Sequence, residues 1–145
     1  MQLFGSNNQF TKYSGIGYYV YIPDGVTSIG DNAFASCHDL KSIHIPSGVT
    51  SIGNRAFYGC GDLEEIKIPD SVVTIGNNSF EICHRLKKLV IPNSVTSIGD
   101  GAFKSCFALQ SVSISNKIEK IPDNAFSFCS HLKRVIIPNG VMLAV

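Results

Sequence analysis

Apolar residues recur along this chain with a period of 23 residues. In the second unit, Val49 and Ile52 lie in an extended stretch, and beyond Leu63 the apolar residues Ile66 and Ile68 alternate with polar ones. A spacing of two is typical of a half-buried strand. A period of about 20–29 residues indicates a solenoid, because one unit of that size buries its apolar face only against its neighbours. Five complete units span 22–44, 45–67, 68–90, 91–113 and 114–136.

Each unit also carries a segment with helical spacing between its extended parts. Ala56, Phe57, Cys60 and Leu63 follow one another at i, i+1, i+4 and i+7, which predicts about two helical turns. A side-chain oxygen stands where such a helix would need its N-cap. The capping positions are Asp31, Asn54, Asn77, Asp100 and Asp123. The sequence therefore predicts an α/β solenoid with a parallel sheet on one face and short helices on the other.

Phenylalanine and cysteine keep the same period and predict two buried ladders along the stack. Cysteines could also form disulfides or bind zinc, but side chains that leave equivalent positions in parallel do not converge as a disulfide or a tetrahedral site requires. We therefore expect free, buried thiols and no metal. The ladder residues are Phe34, Phe57, Phe80, Phe103 and Phe126, and Cys37, Cys60, Cys83, Cys106 and Cys129.

The segment from Leu40 to Leu63 reads Leu-x-x-Ile-x-Ile-Pro-x-x-Val-x-x-Ile-Gly-x-x-Ala-Phe-x-x-Cys-x-x-Leu and resembles the BspA-like class of leucine-rich repeats. The resemblance implies a right-handed leucine-rich-repeat coil within larger cell-surface or secreted proteins associated with adhesion, with no enzyme activity and no cofactor. It divides the chain into an N-terminal cap with a first strand (1–21), five repeats (22–136) and a truncated sixth repeat (137–145).

Three residues depart from the repeat pattern. Ser115 replaces the turn proline of the other units, and Ser79 replaces a small alanine, so that a hydroxyl is buried there. Pro122 replaces a glycine that the other units keep. Because proline excludes a positive φ, either this position never needs one or the fifth unit bends differently.

Composition narrows the function. Among the 145 residues, 12 are basic and 11 acidic, and this net charge of +1 argues against a strongly basic nucleic-acid binder. The apolar runs are too short to cross a membrane, and the first residues do not resemble a signal peptide. His38, His84 and His131 are expected at exposed helix ends, without the partners that nucleophilic or acid–base catalysis needs. We expect no enzyme.

The outward side of the predicted strands is the best candidate for binding. Its positions carry six bases and two acids, a net charge of +4, whereas the rest of the chain carries −3. An ordinary solvated face, with Glu64 and Glu65 paired to Lys87 and Lys88, is the alternative interpretation. Aromatic residues beside cations favour a binding surface for an acidic protein or glycan. The candidate residues are Tyr18, Tyr19, Tyr21, Lys41, His44, Lys67, Lys87, Lys88, Lys133 and Arg134.

Two functional hypotheses follow. The first is an adhesin-like module, at the cell surface or secreted, that binds a partner through this face. The second is a structural spacer, or a fragment of a larger surface protein, with no ligand site of its own. Residues 142–145 are apolar and no polar cap follows them, so we expect this end to be exposed apolar surface, to be covered by further sequence, or to pair with another chain in a self-association.

Overall fold

The computed structural model describes residues 2–4, 8–13, 17–136 and 142–143. It is a parallel-sheet solenoid of about five stacked turns, which we call coils 1 to 5 and define as 22–44, 45–67, 68–90, 91–113 and 114–136. The strands are β1 (Gln2–Phe4), β2 (Gln9–Tyr13), β3 (Tyr19–Tyr21), β4 (Ser28–Ile29), β5 (Ser42–His44), β6 (Ser51–Ile52), β7 (Thr74–Ile75), β8 (Lys88–Val90), β9 (Ser97–Ile98), β10 (Ser111–Ser113), β11 (Lys120–Ile121), β12 (Arg134–Ile136) and β13 (Met142–Leu143).

Two sets of parallel strands run along the stack. A six-stranded sheet has the order β1-β2-β4-β6-β7-β9, in which only the β1–β2 pair is antiparallel. The second set consists of a β3–β5 pair and a three-stranded sheet of β12, β10 and β8. The register follows the sequence period, since Ile29 pairs with Ile52 and Ile52 with Ile75. The predicted parallel stacking of the units is therefore confirmed.

The prediction of short helices is wrong. In the described residues, the segment of each unit from the predicted N-cap residue to the ladder cysteine forms a series of turns rather than a helix. In coil 2, Arg55 and Gly59 have left-handed φ angles of 56° and 72°. A left-handed residue interrupts an α-helix, and two of them four positions apart leave no room for one. Left-handed residues recur at Asn32, Arg55, Asn78, Gly101 and Asn124, and at Ser36, Gly59, Ile82, Ser105 and Phe128.

The main chain of these turns bonds sideways to the next coil. The N–H of Phe57 donates to the carbonyl oxygen of Ser79 at 2.7 Å, and Arg55 and Gly59 donate in the same direction. The amides that alternate with these close four-residue β-turns within the coil, as when the N–H of Cys60 donates to the carbonyl oxygen of Phe57 at 3.2 Å. Alternate amides thus form a continuous ladder between coils, which we call the turn ladder.

The Asx residues predicted as helix caps serve this stacking instead. The Oδ1 of Asp31 accepts the N–H of Asn54 at 2.8 Å, and Asn54 accepts the N–H of Asn77 at the same distance. The preceding glycine lets the coils approach, since a Cβ on Gly76 would lie 2.6 Å from the Asn54 nitrogen. No positive φ is needed at that position, so the fixed φ of Pro122 fits there, although Pro122 brings a Cβ and has no N–H to donate.

Stacked phenylalanines form the centre of the core. Consecutive rings from Phe10 to Phe126 are 4.9 to 5.5 Å apart between centroids and nearly parallel. Phe126, Cys37 and Cys129 are only partly buried, against the prediction of full burial, because they lie in the first and last coils of the described stack. The self-association predicted for the C-terminal end concerns residues that lie largely outside the described ones.

Two serines that depart from the repeat have different environments. Ser115 is buried, and its Oγ donates to the carbonyl oxygen of Val95 at 2.6 Å and accepts the N–H of Lys117 at 3.1 Å. It therefore replaces the turn proline with two hydrogen bonds. Ser79 is fully buried and its Oγ has no hydrogen-bond partner. The buried hydroxyl predicted at Ser79 is confirmed, and it is unsatisfied.

Candidate functional site: the strand face

The strand face consists of the outward positions of 18–21, 41–44, 64–67, 87–90, 110–113 and 133–136. The alternation of buried and exposed residues in β3, β5 and β8 turns every second side chain into solvent. Neighbouring coils bring equivalent residues side by side, so Tyr21 pairs with His44 and Lys88 with Ser111. The solenoid thus gathers residues that are far apart in the sequence onto one surface.

The tyrosines form the aromatic part of this surface. Tyr18, Tyr19 and Tyr21 are 58%, 75% and 63% exposed. The Tyr21 ring stacks on the His44 ring with 4.4 Å between centroids, and the Lys41 ammonium lies 5.4 Å from the centre of the Tyr18 ring. The structure brings these five predicted residues together over coil 1 and the segment before it.

The remaining predicted cations lie further along the face. Lys67, Lys87 and Lys88 are exposed near the middle, and Lys133 and Arg134 are exposed on coil 5. Arg134 pairs in register with Ser111, which in turn pairs with Lys88, so one strand separates the last two cations from the central group. The cations therefore form two groups rather than one site with the tyrosines, and Lys67 of the central group lines a small cavity together with His44.

The strand predicted at the end of coil 2 does not form. Residues 65–67 carry the same alternation as their neighbours but are not paired on either side. In regular coils the N–H after the strand crosses to the next coil, as when Ile91 donates to the carbonyl oxygen of Ser113 at 2.9 Å. Within 17–136, the equivalent bonds from Ile45 and Ile68 are absent. One bond remains, from the N–H of Glu64 to the carbonyl oxygen of Lys41, at 3.1 Å.

A groove of about 560 Å³ opens where the ladder is lost. It lies between 64–70 and 87–92, and its lining includes the apolar residues Ile66, Val90 and Pro92. Ile66 is only partly buried, whereas the equivalent Leu89 is 1% exposed. A second, smaller cavity of about 180 Å³ lies on the other side of the same segment.

The groove also separates charges that we expected to pair. Glu64 and Glu65 lie on one wall, and Lys87 and Lys88 on the other. In 8–13 and 17–136, the ion pairs are Arg85 with Asp62 and Lys104 with Glu81, so the predicted pairs across these strands are wrong. The four charges remain exposed to solvent and free to meet another molecule.

The thiols are built into the stack. The Sγ of Cys83 donates to the carbonyl oxygen of Phe57 at 3.3 Å, and Cys60, Cys106 and Cys129 make the equivalent bond. Burial, with a smaller contribution from neighbouring Cys37, raises the pKa of Cys60 to about 12, and burial raises the pKa of Cys83 well above its ordinary value. Protonated, enclosed thiols are poor nucleophiles, so these cysteines are structural.

Metal-binding clusters are not found in the described part of the chain. Those residues contain no group of three or more His, Cys, Asp or Glu side chains that could hold a metal ion. His84 is exposed and stacks on Phe107, and the Nδ1 of His131 lies 2.7 Å from the Phe107 carbonyl oxygen. The prediction that both lie at helix ends is wrong, because turns replace the helices. Across the same residues, no helix has the length and apolar character needed to span a bilayer.

Sequence reasoning missed the groove and its other residues, Asp70 and Pro92. The alternation through Glu65, Ile66 and Lys67 is the same as in the paired strands, so it carries no signal of the interruption. The mixed charges of the two walls were visible in the sequence, but they favoured cross-strand pairs rather than a gap.

Comparison with known proteins agrees with this architecture. A family model of the BspA type leucine-rich repeat region matches residues 6–133 in six copies. The chain belongs to the BspA-type leucine-rich repeat family. This confirms the resemblance inferred from the Ala-Phe-x-x-Cys pattern. No functionally curated protein matches the chain.

Solved structures of bacterial members share the fold. A leucine-rich repeat protein of T. pallidum has a TM-score of 0.81 at 28% identity, over 99% of this chain and 82% of that one. A leucine-rich cell surface protein of Faecalibacterium prausnitzii A2-165 has a TM-score of 0.83 at 34% identity, over 97% of this chain and 41% of that one. The pneumococcal vaccine antigen PcpA has a TM-score of 0.84 at 25% identity, over 98% and 40%. The chain thus spans about two-fifths of the last two proteins.

Proposed function

We propose that this chain is a non-enzymatic, adhesin-like binding module that recognises an acidic protein or glycan through the strand face. The observation that carries the proposal is the exposed cluster of Tyr18, Tyr19 and Tyr21 beside Lys41 and His44. Exposed aromatic rings next to cations are typical of binding surfaces, and a soluble protein rarely leaves three of them in contact with water without a partner.

The charge of the face supports an acidic partner. The cations of the central group, Lys67, Lys87 and Lys88, are exposed and lack ion pairs within the described residues. A basic surface attracts an acidic one and loses that attraction as salt screens it, over about 8 Å at physiological ionic strength. A cell-surface location, as in the Faecalibacterium protein, belongs to the same proposal.

An array of purified extracellular-matrix proteins and acidic glycans tests this proposal. The chain is compared with a double variant, Tyr19→Ser with Tyr21→Ser, and with a second, Lys87→Glu with Lys88→Glu. We expect each pair of changes to lower affinity for a bound member of the array about tenfold, because both remove contact groups. We also expect binding to weaken as ionic strength rises.

The matched control is Lys120→Glu, an exposed charge reversal on the other set of strands, which leaves binding unchanged. Binding that is equal for all variants, or that does not depend on salt, contradicts the proposal. A chain that binds no member of the array acts as a spacer, and the proposal is then wrong.

A further inference from the structure

The groove between coils 2 and 3 is bordered on both walls by main chain that is not paired across it. β8 pairs with β10 on one edge, and its other edge, which faces the groove, is unpaired. The opposite wall, 65–67, is also unpaired. Edges of this kind are templates for another extended chain, because every exposed N–H and C=O of a strand can bond to one.

The opening is local, since the same two coils stay in contact elsewhere. Ile52 pairs with Ile75, and the turn ladder is intact where Phe57 donates to Ser79. The coils therefore diverge only on the strand face. The resulting volume of about 560 Å³ falls within the range of about 300–1,000 Å³ that is typical of ligand clefts.

The register of the repeat defines which side chains an occupant would meet. Paired strands on either side are offset by one repeat, as Tyr21 is from His44, so Glu65 lies level with Lys88 and Lys67 level with Val90. At the first level the two charges balance each other. At the second, Lys67 is level with Val90, which is 52% exposed, so no acidic residue stands opposite Lys67 at that level, although Asp70 also lines the groove.

The floor of the groove adds an apolar requirement. Ile66 belongs to the inward row but is only partly buried, because its strand does not close against the next. The inward side chain of an extended occupant would lie over it. An inward residue and the next, outward residue alternate in any strand, so the position after the apolar one would lie beside Lys67.

We propose that this groove docks an extended peptide segment whose main chain pairs with the open edges and in which an apolar residue is followed by an acidic one. The proposal rests on the proposed function and specifies a partner class, a protein segment rather than a glycan. The apolar residue covers Ile66, and the carboxylate meets the Lys67 ammonium.

Titration with short synthetic peptides tests the proposal on the intact chain. The probe is acetyl-Ser-Thr-Val-Glu-Val-Thr-Ser-amide, and two matched peptides replace its glutamate by lysine or N-methylate both valines. Binding is followed by isothermal titration and by amide shifts in the isotopically labelled chain. We expect the amide shifts to centre on 65–68 and 88–91. The acidic peptide should bind about fivefold more tightly than the lysine peptide, and the N-methylated peptide should not bind.

A charge reversal checks the register. Lys67→Glu should invert the preference, so that the lysine peptide binds more tightly, whereas Lys120→Glu on the other set of strands should leave it unchanged. Equal affinity for the acidic and lysine peptides, undiminished binding of the N-methylated peptide, shifts outside the groove, or no binding at millimolar concentration each overturn the proposal. Capture of an array member that still depends on the tyrosines would then leave the proposed function standing.

Discussion

The turn side of this solenoid, which carries the turn ladder, and the strand face are built from the same repeats, but their main chains pair differently. On the turn side the lateral bonds continue across every interface from coil 1 to coil 5, as when Phe34 donates to Ala56 and Phe103 to Ala125. On the strand face the ladder breaks at 65–67. The comparison indicates that the turn side, together with the six-stranded sheet, holds the stack together, which leaves the strand face free to open and to carry exposed charges and aromatic rings.

The largest expected effect comes from removing a stacked ring. Phe80 is fully buried between Phe57 and Phe103, at 5.1 and 5.3 Å between centroids. Phe80→Ala should lower the free energy of unfolding by about 3–5 kcal/mol, because it leaves a cavity in the middle of the stack. Chemical denaturation measures the change.

Phe128→Ala is the matched control, since that ring is 69% exposed. It should change stability by less than about 0.5 kcal/mol. Equal losses for the two variants would show that the buried ladder does not dominate the stability of the turn side.

A smaller loss is expected from separating two coils. A Cβ on Gly76 would lie 2.6 Å from the main chain of the preceding coil at Gly53 and Asn54, whereas one on Gly61 would meet no atom within 4 Å. Gly76→Ala should therefore cost about 1–3 kcal/mol, and Gly61→Ala should be neutral or slightly stabilising. Thermal unfolding of both variants measures the difference, and a harmless Gly76→Ala would contradict the close approach of the coils.

The smallest effect should be a gain. The Ser79 hydroxyl is buried without a hydrogen-bond partner. The equivalent Ala56 and Ala102 are also fully buried but have no hydroxyl. Ser79→Ala should raise the free energy of unfolding by about 1 kcal/mol, because it removes an unsatisfied polar group. Ser115→Ala is the contrasting variant and should destabilise, since Ser115 makes two hydrogen bonds. A destabilising Ser79→Ala would mean that its hydroxyl has a partner.

Much of the core was predictable, because burial repeats with the sequence. The columns of Phe57 and Cys60 keep one residue type in every coil, so their ladders could be inferred before any coordinates. The turn side could not be predicted in this way, since its segments have helical spacing and side-chain oxygens at the expected N-cap positions. What excludes a helix is the left-handed backbone, and its second column includes Ile82 and Phe128, residue types that give no hint of it.

The candidate site divides in the same way. The exposure of Tyr19 and Lys88 follows from alternation and was predictable from the sequence. The grouping of the tyrosines with Lys41 and His44 required the register between strands, which the period supplied. The groove required knowledge of main-chain pairing at 65–67, and side-chain alternation is blind to whether the neighbouring edge is bonded.

Residue-resolved amide hydrogen exchange of the unliganded chain tests the central contrast most directly. Hydrogen-bonded amides exchange slowly and unpaired ones exchange fast. We predict slow exchange at Arg55, Phe57 and Gly59 on the turn ladder and fast exchange at 65–68 on the strand face. Slow exchange at 65–68, matching that of 111–113, where β10 is paired on both edges, would show a continuous strand face and contradict the account.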